Sequence, residues 1–322
     1  MQIFPMRRYG TNLTRSLLRM MCVVAVAIAN PPTFAAPVPG HVEAWGAIPF
    51  GQLNPPADLN DVIAIAAGTS HNLALRSNGT VVAWGRETQG QTIVPPGLSN
   101  VVAISAKAHN VALRSDGSIF VWGYPSPSVT NVPAGLTDVR AVEAGNGSGN
   151  SYTVALRSNG TVVAWGLNSF ATNVPPGLSG IVAVAAGLSH VLALKSDGTV
   201  IAWGDTFAGA ATPPPGLNGV VAVRAGQFTS FAIKSDGTVV GWGNVAVPPG
   251  LTGIVDLQDG ATHTIALRTK GQVIAWGNNT VGQATVPAGL SDVTRSPRAA
   301  ITTSRSLRDR PSCRSLHPWL QI

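Results

Sequence analysis

The sequence predicts an all-β fold, a seven-bladed β-propeller, and three observations carry that expectation. Trp-Gly recurs at 45, 84, 122, 165, 203, 242 and 276, at intervals of 34 to 43 residues, and seven of the eight tryptophans obey the period. Each interval holds short apolar or alternating runs separated by Asx-Gly turns, the pattern of antiparallel strands. The 322 residues include 36 Gly and 24 Pro while charged residues make up only 11%, a balance that suits many short strands and turns and excludes a long coiled coil.

Residues 62–85, VIAIAAGTSHNLALRSNGTVVAWG, are the template unit. VIAIA and HNLALR read as two strands, SNG as the hairpin turn and TVVAWG as a third strand. The link VPPGLSN carries prolines that end a strand. A fourth short edge strand is expected around Thr92, Ile93 and Val94 and their equivalents. Such units cannot bury both faces alone, and radial stacking buries them against neighbours. The Ala- and Gly-rich first strand suits a crowded axis, and each Trp is expected to pack between adjacent blades.

Complete units run over 62–85, 101–123, 139–166, 181–204, 220–243 and 254–277. The seventh is divided. Val42, Glu43, Ala44, Trp45 and Gly46 are expected to form its third strand, and its first two strands should come from the C-terminus, closing the ring as a clasp. Ser291, Asp292, Val293 and Thr294 begin that unit on schedule, and then the pattern vanishes. Read one base earlier from Arg295, codon degeneracy makes Arg295 to Asp309 compatible with A-I-A-A-G-[GS]-[DN]-H-N-L-A-L-[ST]-x-G, the missing half-blade. The sequence therefore predicts a frameshift near codon 294; a genuine Arg-rich disordered tail is the alternative that composition also allows.

The formal charge of +7 invites a nucleic-acid reading, but residues 1–36 carry four Arg and no acid, and residues 294–322 carry six Arg against Asp309. The middle is slightly acidic. A basic groove in the folded part, and with it nucleic-acid binding, is disfavoured. Residues 1–36 read as a signal peptide, with an Arg-bearing start, an apolar run from Met20 to Ala29 and a small-residue cleavage pattern ending at Ala35 or Ala36. The propeller then spans 37–293 and the tail 294–322, and the expected location is secreted or periplasmic. The apolar run is too short for a membrane anchor, so no membrane attachment is expected after cleavage. Only Cys313 remains in the mature chain, which excludes an internal disulfide.

His71, His109, His190 and His263 occupy one repeat position, where Tyr152 and Thr229 stand in other units. Symmetry spreads such positions around a ring, so they read as strand-start hydrogen-bonding groups, with no metal and no cofactor. Together with Trp45, Trp84, Trp122, Trp165, Trp203, Trp242 and Trp276 they form the structural repeat. Asp116, Asp197 and Asp236, and the sequons at Asn78 and Asn159, are turn residues. No Ser, His and acid constellation and no paired carboxylates stand apart from the repeat, so an enzyme is not expected.

The turns between second and third strands barely vary, whereas the loops after Ala-Gly and after Trp-Gly vary in length and chemistry. Both should emerge on one rim. That rim gathers Arg86, Glu87, Gln89, Tyr124, Asn146, Asn150, Tyr152, Phe170, Phe207, Gln227 and Phe228, aromatic residues among polar loops, the composition of a recognition surface.

The units Ala-Gly-x-x-His, Ala-Leu-Lys/Arg-Ser-Asp-Gly and Trp-Gly-x-Asn-x-x-Gly-Gln resemble the regulator of chromosome condensation repeat family over residues 41–293. Trp276 to Gln283 carries the third motif in full, and Trp84 to Gln91 carries it with Glu87 for Asn. The short period and VPPGL linkers resemble its bacterial secreted branch, which includes a propeller-type β-lactamase inhibitor. The resemblance implies the propeller fold and leaves the activity open, because activities vary within the family. The expected function is a secreted, non-enzymatic protein-binding propeller, monomeric if the ring closes. Its alternatives are an inhibitor of a secreted or periplasmic enzyme such as a β-lactamase, and a carbohydrate-binding propeller. Guanine-nucleotide exchange, known elsewhere in the family, does not suit an exported protein.

Overall fold

The hairpins form where the Asx-Gly pairs stand. Asn78 Oδ1 accepts the backbone N–H of Thr80, and Asp116, Asn159, Asp197 and Asp236 each accept the N–H two residues on. The computed structural model describes residues 20–22, 40–46, 50–145, 149–260, 262–290 and 293–296. Among them stand six antiparallel sheets of three strands, each with its second strand in the middle.

In chain order the sheets are β2 (Val62–Ala67), β3 (His71–Arg76) and β4 (Val81–Gly85); β5 (Val101–Ala106), β6 (Asn110–Arg114) and β7 (Ile119–Trp122); β8 (Val139–Gly145), β9 (Tyr152–Arg157) and β10 (Val162–Gly166); β11 (Ile181–Ala186), β12 (His190–Lys195) and β13 (Val200–Gly204); β14 (Val220–Ala225), β15 (Thr229–Lys234) and β16 (Val239–Gly243); and β17 (Ile254–Asp259), β18 (His263–Arg268) and β19 (Val273–Gly277). These are the six units the repeat predicts. A separate parallel pair joins β1 (Met20–Cys22) to β20 (Thr294–Ser296). Every first strand carries a bulge near its start, as between Val62 and Ala64, which adds local twist.

First strands lie against first strands from sheet to sheet, β2 beside β5, β5 beside β8 and onward to β17. They are more buried than the third strands, which run at the outside. Four of the hairpin turns also dock on the segment that follows, Gly79 O accepting the N–H of Val101, Gly160 O that of Ile181, Gly237 O that of Ile254 and Gly271 O that of Val293.

The tryptophans bind the series together as expected. Trp122 packs with the first sheet, Trp165 with the second, Trp203 with the third, Trp242 with the fourth, Trp276 with the fifth and Trp45 with the sixth. Trp84, Trp165, Trp203 and Trp242 donate their indole N–H to the carbonyls of Gln52, Val129, Ala171 and Ala210 in the link entering their own sheet. The glycine after Trp has its own reason. Gly204 sits at φ +114°, and a Cβ there would lie 2.3 Å from Ser189 O in the adjoining loop.

Two expectations are corrected. No fourth strand forms at Thr92, Ile93 and Val94, because the chain turns there, Ile93 N–H donating to Gly90 O, before Pro95 and Pro96. Val42 to Gly46 make no strand, since no described segment lies alongside to pair with them, although Val42 and Trp45 are buried. The signal segment other than Met20–Cys22, residues Ser291 and Asp292, and the tail beyond Ser296 lie outside the described residues. Among the described residues no helix is long and apolar enough to cross a membrane.

Candidate functional site

The two variable loop sets share one end of the sheets. His71, at the start of β3, pairs with Gly85 at the end of β4, and Arg86 N–H donates to Ser70 O, so the loop after Ala-Gly touches the loop after Trp-Gly. Among the described residues the exposed large apolar side chains are Phe50, Ile93, Leu167, Phe170, Phe207 and Val281, and all six lie in connections that follow Trp-Gly. Within the hairpin turns at the other end there are none among the described residues.

Neighbouring loops meet through these side chains. Phe207, 68% exposed, packs edge-on against half-buried Phe228 of the next sheet's loop at 5.6 Å between centroids. Arg86 lays its guanidinium 4.5 Å from the centre of the Phe50 ring. Phe50 was not anticipated, although the Gly51-Gln52 pair after it repeats Gly90-Gln91 and Gly282-Gln283 and so marks the loop. Glu87 is exposed but turned inward on its own loop, accepting Gly90 N–H at 2.6 Å and Thr92 N–H at 2.8 Å, and the Thr92 hydrogen bonds hold its carboxyl below the usual range. Gln89, Asn150 and Phe170 are exposed, and Tyr124 and Gln227 are half-buried. Asn146 lies outside the described residues.

Tyr152 is not on the rim surface, contrary to expectation. It is fully buried, and its hydroxyl donates between the carbonyls of Gly187 and His190 in the next sheet, at 2.9 and 2.8 Å. Three histidines of the same repeat position, His71, His109 and His190, also reach forward by one sheet. His71 Nε2 lies 2.5 Å from Asn110 Oδ1, His109 Nε2 2.9 Å from Thr153 Oγ1 and His190 Nε2 2.9 Å from Ser230 Oγ. The acceptor is always the residue after the next sheet's own slot residue. Tyr152 breaks that rule because Val191 stands in the acceptor place ahead of it, and only a longer side chain reaches the backbone carbonyls. Burial pulls the imidazole of His109 down to about 3 and that of His190 to about 4, so both are neutral near pH 7. Among the described residues no group of three or more His, Cys, Asp or Glu could hold a metal ion.

The first strands are less apolar than the repeat suggests. Where other sheets place Ala or Gly in the first strand or directly after it, four of them place Lys107, Glu143, Arg224, Asp256 and Asp259, departures that the repeat pattern did not lead one to expect. Arg224 and Asp256 form a buried ion pair at 2.7 Å, and Arg224 Nε–H also donates to Leu257 O. The Asp259 carboxylate accepts the hydroxyls of Thr229 and Thr264. Glu143 accepts the Ser105 hydroxyl at 3.1 Å; burial pushes its carboxyl up to about 7, against the opposing charges of Arg224 and Lys107. Each acid is thus engaged by its own donor.

Four stretches, 62–91, 139–171, 181–209 and 255–283, match the model of the regulator of chromosome condensation (RCC1) repeat. In those four stretches the chain is similar to the RCC1 repeat. No curated protein matches the chain in sequence. Among solved structures, the ectodomain of the Arabidopsis thaliana receptor kinase ACR4 is 25% identical with a TM-score of 0.55, over 70% of this chain and 82% of that one. Yeast RCC1 (Prp20), in its complex with Kap60, is 18% identical with a TM-score of 0.58, over 78% and 76%. The ectodomain of the Physcomitrella patens receptor kinase CR4 is 22% identical with a TM-score of 0.58, over 71% and 64%. The architecture is accordingly all-β and propeller-like, with six sheets among the described residues.

Proposed function

We propose that this protein is a secreted, non-enzymatic propeller that seats a protein partner on the rim formed by the loops after Ala-Gly and Trp-Gly. The observation that carries the reading is that, among the described residues, the exposed large apolar side chains all stand in the connections that follow Trp-Gly and none in the hairpin turns at the other end. Large apolar groups grouped among adaptable polar loops favour a contact surface. The RCC1-type fold agrees, since one structural neighbour binds Kap60 and the same yeast protein is described with Gsp1p and histones. The engaged acids of the first strands, each held by a donor, favour a structural part for them over catalysis. On this reading Trp45 and the segment from Val293 onward belong to a seventh blade, and residues 1–36 direct export. Inhibition of a secreted or periplasmic enzyme such as a β-lactamase is a narrower version that rests on the sequence resemblance to the secreted branch.

The test is affinity capture from the native secretome with the wild-type chain, then quantification with variants. Phe207→Ala and Phe228→Ala should each weaken capture, on the order of 2 kcal/mol for a buried aromatic anchor, with stability nearly unchanged. Asp197→Ala, in the turns at the other end, should not. Equal losses from both ends would remove the rim assignment.

A further inference from the structure

Three Asn-Gly pairs stand among the described residues, Asn78-Gly79, Asn159-Gly160 and Asn218-Gly219. In such a pair the glycine nitrogen can attack the Asn side chain, because glycine has no side chain of its own to hinder the approach. Sequence alone ranks the three alike. The fold separates them.

Two of the pairs are hairpin turns in which both reacting groups are engaged. Gly79 N–H donates to Arg76 O and Gly160 N–H to Arg157 O, each at 3.0 Å. Asn78 Oδ1 accepts the N–H and the hydroxyl of Thr80 at 3.0 and 2.7 Å, and Asn159 Oδ1 accepts those of Thr161 at the same distances. The turns are tied down further, since Gly79 O and Gly160 O accept the N–H groups of Val101 and Ile181. Attack has to open the turn first.

Asn218-Gly219 lies in the link that enters β14, where no comparable lock exists. Both residues are exposed. No described residue accepts the Gly219 N–H or bonds to the Asn218 carboxamide, and Gly219 is held through its carbonyl, which accepts Ser235 N–H at 2.9 Å. The nitrogen that attacks and the carbon it attacks are both unencumbered.

We propose that Asn218 is a site of spontaneous deamidation in the folded protein, while Asn78 and Asn159 are protected by their hairpins. The Gly219 nitrogen adds to Asn218 Cγ and gives up its proton, the Cγ–Nδ2 bond breaks, and ammonia leaves. Water then opens the resulting succinimide. Opening at Cγ gives aspartate; opening at the backbone carbonyl gives isoaspartate, which sends the chain through Cγ with one extra methylene just before Gly219. Either product adds a negative charge beside the hairpin turn that holds Ser235, at the end of the sheets away from the rim. The site is thus independent of the rim reading.

The experiment incubates the full chain in neutral buffer and follows its tryptic peptides by mass spectrometry, with isoaspartate resolved by retention. Asn218 is the only Asn of peptide 196–224 and Asn78 the only Asn of peptide 77–86, so each peptide reports its own site. Fragment ions assign Asn159. In the folded chain Asn218 should convert about tenfold faster than Asn78 and Asn159, or more, because only those two must break hydrogen bonds before reacting. In concentrated urea the three rates should converge. Conversion of Asn78 or Asn159 as fast as Asn218 in the folded chain would overturn the proposal. So would a rate difference that persists in urea, since it would then come from neighbouring residues and not from the fold. An Asn218 that stays intact in the folded chain while the unfolded chain converts would overturn it as well.

Discussion

Trp45 donates its indole N–H to the carbonyl of Gln283 at 3.2 Å, although 238 positions separate them in the chain. Trp84, Trp165, Trp203 and Trp242 make the same bond over 32 to 36 positions. Trp45 is thus held by the far end of the chain, packed on Ile265 and Leu267 of the sixth sheet. Trp45→Ala should destabilise the fold by about 3 kcal/mol or more through lost burial, and Trp45→Phe by about 1 kcal/mol, chiefly through the lost donor. Urea unfolding measures both. A loss below about 0.5 kcal/mol for Trp45→Ala would mean that the two ends do not hold each other in solution.

The forward bond from His71, His109 and His190 to the next sheet predicts pairwise coupling. In a double-mutant cycle of His190→Gln and Ser230→Ala, the two changes should fail to add by about 1 kcal/mol, because either one removes the same bond. Purified protein should contain no stoichiometric zinc. Strict additivity would count against the bond, and bound zinc against the structural reading of the histidines.

Glu143 and the histidines pull stability in opposite directions with pH. The folded pKa of Glu143 is raised to about 7 by burial, from 4.5, so its contribution is full below pH 4.5 and is lost as pH rises through 7. The imidazoles of His109 and His190 are lowered to about 3 and about 4 by burial, so their contribution is full above pH 6.5 and is lost as pH falls toward those values. Glu143→Gln should therefore stabilise the protein at pH 8, on the order of 2 kcal/mol, with little effect at pH 4.5. Thermal melts across that range decide it. A variant less stable than wild type at pH 8 would show that the attraction of Lys107 and Arg224 outweighs the burial of the charge.

The six sheets, their turns and the sheet-bridging tryptophans were legible because each follows from a local rule repeated at a fixed period. Asx-Gly sets the hairpin, Trp-Gly sets the strand end, and the period sets the stacking. What escaped was set by differences between units. Tyr152 reads as a rim aromatic until Val191, a residue of the following sheet, shows why a longer donor is needed. Glu143, Arg224, Asp256 and Asp259 sit in strands, and Lys107 directly after one, where the average is Ala and Gly, so composition hid them. Aligning the first strands against one another would have exposed them. Of the rim residues, Phe207 and Phe228 stood in the sequence as two loops; that they touch depends on adjacent sheets presenting them to each other.

The same forward bond bears on the tail. His71 reaches Asn110 in the second sheet, and the unit preceding the first sheet should reach Asn72 in the same way. Asn72 uses its amide nitrogen on Gln52 O at 3.0 Å, and no described residue donates to its side-chain oxygen. Replacing residues 295–309 by AIAAGSDHNLALTSG would place a histidine in the slot that faces Asn72 and give Val42 to Gly46 two strands to pair with. Edge pairing and cover for apolar surface should follow, with less self-association. The expected gain is about 2 kcal/mol or more, a rise in Tm of roughly 3 °C or more for a chain of this size. Asn72→Ala separates the slot bond from general repair: it should cost about 1 kcal/mol more in the altered chain than in the original, because only there does it remove a histidine partner. Melts and size-exclusion profiles of the four proteins provide the comparison. Identical melting of the original and altered chains, both monodisperse, would show that the Arg-rich ending is the native one and that no half-blade is missing.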